Sequence, residues 1–101
     1  MSASGTTTLD FGAFPGTFDA SATITGQAGI VAGSLVGAWI RPEATADHSA
    51  DEHRIETIAI VADTIVAGTG FTIYGREAGA DTTRNEGHRL YGLFTVAWAW
   101  T

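Results

Sequence analysis

From Phe18 onward, apolar and polar positions alternate with a period of two. Phe18, Ala20, Ala22 and Ile24 interleave with Asp19, Ser21, Thr23 and Thr25, which predicts a half-buried strand. Gly26-Gln27-Ala28-Gly29 then reads as a turn. Ser34 to Arg41 predicts a second strand that is apolar on both faces, with Leu35, Gly37 and Trp39 on one and Val36, Ala38 and Ile40 on the other. A strand of that kind is expected between layers or between subunits, and Pro42 ends it. Arg54 to Ala62 predicts a third strand, which Asp63 interrupts and Thr64 to Ala67 continues. Gly68-Thr69-Gly70 is a short connection to Phe71–Tyr74, so Ile65 to Tyr74 reads as a hairpin. The last strand is the clearest: Leu90, Phe94, Val96, Trp98 and Trp100 share one face, and Tyr91, Leu93, Thr95, Ala97 and Ala99 the other.

No window carries a 3.6-residue period over ten residues. The segment Ala44 to His53 is polar and predicts one helical turn or a wide loop, and Gly79 to Gly87 reads as a charged loop. The fold class expected is all-β: a small antiparallel β-sandwich or barrel, jelly-roll-like, spanning residues 18–101. Residues 1–17 read as an extended N-terminal arm, punctuated by Gly5, Gly12, Gly16 and Pro15, with Leu9, Phe11 and Phe14 as its large apolar groups. Those side chains are costly to leave in water. They dock either on their own domain or on a neighbouring subunit. An arm of this kind is expected to be removable, through Phe14, without unfolding the domain. Trp98 and Trp100 are expected to dominate the core, where truncation of a Trp costs about 3–5 kcal/mol.

Composition narrows the function classes. With 101 residues the chain has room for one domain. Hydrophobic residues make up 45% and charged residues 16%, the reverse of a disordered chain. Five Arg, no Lys and eleven acidic residues leave a net charge of −6, so no basic stripe is available for nucleic acid. Cysteine is absent, which removes thiolate metal sites and cysteine nucleophiles. The stretch Ala20 to Ile40 has little charge but is too rich in Gly, Ser and Thr for a membrane helix, and Met1 to Thr8 lacks the basic start and apolar centre of a signal peptide.

Candidate chemistry is sparse. Asp47, His48, Asp51, Glu52 and His53 crowd into seven residues, a composition that invites zinc or a harder cation. The two His stand five apart, about 140° around a helix, rather than at the i, i+4 spacing of zinc-protease helices. Local hydrogen bonding in a loop is the competing reading. No serine sits in a Gly-x-Ser-x-Gly elbow, and Gly68-Thr69-Gly70 lacks the Lys and following helix of a phosphate loop. No cofactor and no catalytic residue are assigned, and the chain is read as a non-enzyme. Trp39, Tyr74, Tyr91, Trp98 and Trp100 are candidates for a sugar platform, though their alternation with small residues suits a core or interface better.

Three segments carry a resemblance: Thr45-Ala46-Asp47-His48 with Glu52-His53, Ile65-Val66-Ala67-Gly68-Thr69-Gly70-Phe71-Thr72-Ile73-Tyr74, and Gly92-Leu93-Phe94-Thr95-Val96-Ala97-Trp98-Ala99-Trp100. Over Ala20 to Thr101 the chain resembles small virion structural proteins of tailed bacteriophages and prophages. The resemblance implies a structural role in the virion, assembled in the bacterial host cytoplasm, and no catalytic residues. The leading expectation is a capsid decoration or cement protein that bridges neighbouring capsid subunits. Its partners would be the major capsid protein or other virion proteins and further copies of itself, as a dimer or trimer, with no nucleic acid and no membrane. The interface residues expected are Leu9, Phe11, Phe14, Trp39, His48, His53, Trp98 and Trp100. The alternatives are a tail, neck or head-fibre subunit; a host-glycan binding module gripping sugar with Asp47, Glu52 or His53; and a metal-dependent enzyme.

Overall fold

A computed structural model describes residues 2–13, 16–55, 58–77 and 90–101. Phe14 and the charged loop 79–87 lie outside the described residues. The chain forms β1 (Ala3–Asp10), β2 (Asp19–Ile24), β3 (Val36–Ile40), α1 (Ala50–Ile55), β4 (Ile58–Val66), β5 (Gly70–Glu77) and β6 (Leu93–Trp100). Two antiparallel three-stranded sheets result, one in the order β1-β6-β3 and the other in the order β2-β5-β4.

Period-two alternation in each strand sends one set of side chains between the sheets. Phe94, Val96, Trp98 and Trp100 of β6 point inward and are buried. They meet Ile24, Phe71 and Ile73 of the other sheet in one hydrophobic cluster. Phe71 and Trp98 make an edge-to-face contact with centroids 5.6 Å apart. The aromatic rows require small residues opposite. Trp98 lies directly across from Gly5, where an added Cβ would stand 2.6 Å from the indole Cζ2. Leu9 likewise packs on Gly75, whose missing side chain leaves room for the Leu9 Cδ1. Trp100 directs its indole N–H to Gln27 Oε1 at 2.9 Å, which ties the end of β6 to the turn after β2.

The N-terminal segment departs from the arm expected of residues 1–17. Ala3–Asp10 is a strand paired with β6 along its whole length, and Leu9 and Phe11 are buried in the core. The segment lacks an apolar alternation because its inward positions, Ala3, Gly5 and Thr7, are small: they face Trp100, Trp98 and Val96. The ready removal of residues 1–14 therefore does not follow. Arg54 and Ile55 also depart from expectation, since they close α1 rather than open a strand. The hairpin expected at Ile65–Tyr74 forms, with Gly68 at φ 76° in the turn. Asp63, read as an interruption, marks a register shift within β4, and the next residue, Thr64, takes φ 57°, the left-handed geometry of a bulge.

Removing residues 1–12 should leave the chain without cooperative unfolding in urea, because β6 loses its full-length neighbour and two core side chains. Retention of a sharp transition would overturn the assignment of β1 to the core. Trp98→Ala should cost about 3–5 kcal/mol. Gly5→Val should cost about 1–3 kcal/mol by overpacking against the indole, read from the same denaturation curves.

Candidate functional site

Strand β6 is flanked by β1 throughout but by β3 only from Val96 to Trp100. Beyond Ile40 the chain leaves the sheet, and the backbone groups of Tyr91, Leu93 and Thr95 on that side need other partners. The connection from β3 to α1 supplies them. Arg41 N–H still reaches the Thr95 carbonyl at 3.0 Å. From there side chains take over. Thr95 N–H donates to His53 Nε2 at 2.9 Å, and Leu93 N–H to Asp47 Oδ2 at 2.8 Å. The Leu93 carbonyl accepts from Thr45 Oγ1 at 2.8 Å, and the Tyr91 carbonyl from His48 Nε2 at 2.5 Å. Four side chains thus stand where a strand would have continued the ladder.

Each is held in turn. Thr45 Oγ1 accepts the N–H groups of Asp47 and His48, both at 3.1 Å. Ser49 and Glu52 form a capping box at the start of α1: Ser49 N–H donates to Glu52 Oε1 at 2.9 Å, and Glu52 N–H to Ser49 Oγ at 3.2 Å. His53 Nδ1–H donates to the Ser49 carbonyl at 2.7 Å. Because its Nε2 accepts from Thr95, these two bonds together require the neutral ring with its proton on Nδ1. Gly92 closes the arrangement. Its φ is 74°, and an added Cβ would stand 2.6 Å from the Asp47 Cβ. The site needs glycine there on both counts.

The rings also pack. His48 stacks on Phe94 with centroids 4.1 Å apart, and His53 meets the same ring at 5.1 Å. Both histidines are buried. For His48, burial is the largest single influence and disfavours the charged ring. It is outweighed by the Glu52 hydrogen bond, the Tyr91 carbonyl and the fields of Glu52 and Asp47, so its pKa lies above the ordinary 6.5. The His48 hydrogen bond to Glu52 spans 3.0 Å and pulls the Glu52 pKa below 4.5, with the Ser49 N–H acting in the same direction.

The residues expected at an interface therefore divide. Leu9, Phe11, Trp98 and Trp100 belong to the core of their own chain, and His48 and His53 to its latch. Within this chain they offer no docking surface; burial is the physical reason. Trp39 alone among the described candidates is well exposed, at 51%. The sugar grips expected at Asp47, Glu52 and His53 are likewise committed to the protein's own backbone and side chains. All four imidazole nitrogens of the His pair have protein partners. The capping box was the signal available for this region, since Ser49-Ala50-Asp51-Glu52 carries its spacing.

Among the described residues, the two sheets each present an outer face. On the first sheet, Gly37 and Trp39 of β3, with Leu35 just before it, face outward beside Ala97 and Ala99. On the second, the outward residues of β2, β5 and β4 line an open groove of about 350 Å³. Compared with protein-family models, with curated proteins and with solved structures, the chain matches none.

The two titrations set a pH window. A raised His48 pKa contributes stability that is complete below 6.5 and is lost as pH rises through the folded value. A lowered Glu52 pKa contributes stability that is complete above 4.5 and is lost as pH falls through the folded value. The pair should therefore stabilise most between pH 4.5 and 6.5. Glu52→Gln should lower the His48 titration midpoint measured by NMR and flatten the alkaline limb of Tm against pH. An unchanged midpoint would contradict the pairing. His53→Ala should cost about 1–3 kcal/mol through the stranded Thr95 N–H alone, with further loss from the vacated ring.

Proposed function

We propose that this chain is a structural subunit of a phage virion, most simply a capsid decoration protein that oligomerises and bridges neighbouring capsid subunits. One observation carries the reading. Strand β3 and the residue that leads into it, at the margin of the sheet, present Leu35 at 75% and Trp39 at 51% exposure along one outward row, with only Gly37 between them on that face. Single exposed apolar residues are ordinary on a protein surface. Two large ones aligned along one sheet margin, with Ala99 beside them, form a surface that gains from being covered. A stable pair needs about 800 Å² from each partner, and this face supplies its apolar centre.

Topology supports the reading. The fold is taken as a small β-sandwich with a jelly-roll-like strand order. The chain runs as a long antiparallel ribbon, β1 against β6 and β2 against β5, rolled so that β3 joins the first pair and β4 the second. Double-sheet β architectures of this kind recur in viral shells, an analogy of fold and not of site. The net charge of −6 keeps such a subunit from competing for packaged DNA. Many weak contacts repeated over a shell add by avidity, so a modest face per copy is enough. A tail, neck or fibre position would use the same face.

Sedimentation of the purified chain should give a dimer or trimer of the 10.5 kDa subunit, and the protein should co-sediment with phage heads. The double change Leu35→Ser, Trp39→Ser should return it to monomer with its unfolding transition intact. A monomer at every concentration that ignores heads and tails alike would end the reading.

A further inference from the structure

We propose that the outer face of the β2-β5-β4 sheet is a binding site for an uncharged saccharide. Two cross-strand rows build it: Ser21, Tyr74 and Val61 in one, Asp19, Arg76 and Ala59 in the next. Tyr74 and Arg76 sit on the central strand with Ser21, Asp19, Ala59 and Val61 beside them, and together they line a groove of about 350 Å³, at the small end of ligand sites.

The groove is amphipathic in one particular way. Val61 and Ala59 border the Tyr74 ring on one side, and Val61 is 57% and Tyr74 42% exposed. Asp19, Arg76 and Ser21 supply acceptors and donors on the other. Asp19 and Arg76 are direct cross-strand neighbours, yet among the described residues neither side chain is engaged in an ion pair or hydrogen bond. Their charges cancel, so an anion would meet Asp19 and a cation would meet Arg76. The ligand that fits has no charge, one face of C–H groups to lie on an aromatic ring, and a rim of hydroxyls that both donate and accept. A pyranose has that combination. A purely apolar ligand would leave a carboxylate and a guanidinium without partners.

The aromatic platform is pre-set. Tyr74 OH is hydrogen-bonded to Thr64 Oγ1 at 2.8 Å, and Thr64 is the positive-φ residue of the β4 bulge. The bulge thus places the hydroxyl that holds the ring's outer end. A ring held before binding loses less freedom on binding. This site lies on the sheet opposite Leu35 and Trp39, so it stands or falls separately from the assembly reading.

The test is an NMR titration of the full chain with soluble oligomers of glucose, mannose, galactose and N-acetylglucosamine. At about 10 mM sugar, enough to populate even millimolar sites, at least one series should shift the amide signals around Ser21, Val61, Tyr74 and Arg76. Tyr74→Ala should weaken that binding about tenfold or more, Tyr74→Phe should keep most of it, and Arg76→Ala should weaken it with the spectrum otherwise intact. Leu35→Ser, Trp39→Ser should leave it unchanged. No shift with any of the four series, or shifts that survive both Tyr74→Ala and Arg76→Ala, would overturn the proposal.

Discussion

Tyr91, Leu93 and Thr95 present backbone donors and acceptors on the side of β6 where no strand runs, and that unfinished edge governs the polar half of this molecule. A buried backbone group without a partner costs about as much as a lost hydrogen bond. Thr45, Asp47, His48 and His53 meet the requirement with side chains. The consequence is local rigidity in a connection that would otherwise be a wide loop. Side chains have reach and direction that a backbone lacks. To use them, the chain must fix where each one starts, and the Ser49–Glu52 capping box with the Thr45 turn does so. The six-residue α1 is short for independent stability. It persists because it is the platform for His53.

The apolar half follows a complementary rule. β6 brings Phe94, Trp98 and Trp100 into the space between sheets, and volume is conserved by withdrawing side chains opposite them: Gly5 beneath Trp98, Ala3 beside Trp100, Gly75 beneath Leu9. Dense packing of this kind leaves little tolerance in either direction. It also has a cost. The Trp98 indole N–H is, among the described residues, the one buried side-chain polar atom without a hydrogen-bond partner. The ring's apolar contacts with Gly5 and Phe71 hold it there in spite of that loss.

This division explains what could be read in the sequence. Strands whose inward positions are large, such as Phe94 to Trp100, announce themselves by alternation. β1 does not, because its inward positions are small for the very reason that β6's are large. The information lies in the pairing of Gly5 with Trp98, more than ninety residues along the chain, and pairing is not local. The cluster from Asp47 to His53 was legible as polar chemistry but not as to purpose. The five-residue His spacing already favours local hydrogen bonding over a cation site, but which groups those bonds serve is clear only once the unfinished edge of β6 is known. The Ser49–Glu52 spacing of the capping box is the one local signal in this region.

The same division determines where any outward function can reside. With the aromatic row consumed by the core and both histidines by the latch, the two outer sheet faces are among the surfaces left in the described residues, and they differ in kind. The β1-β6-β3 face carries Ser4, Thr6, Thr8, Ala97, Ala99 and Gly37 around Leu35 and Trp39. It is apolar at one margin and carries one charge, Asp10, at the end of β1 on the other, which suits another protein surface. The β2-β5-β4 face carries Asp19, Arg76 and Tyr74 above a depression. It is concave and bears opposite charges side by side, which suits a small polar ligand. A flat protein partner laid on the second face would bury Asp19 and Arg76 and would have to match both charges. A small ligand laid on the first would find a single ring, Trp39, at its margin, with the hydroxyls of Ser4, Thr6 and Thr8 two strands away. The two faces are therefore not interchangeable.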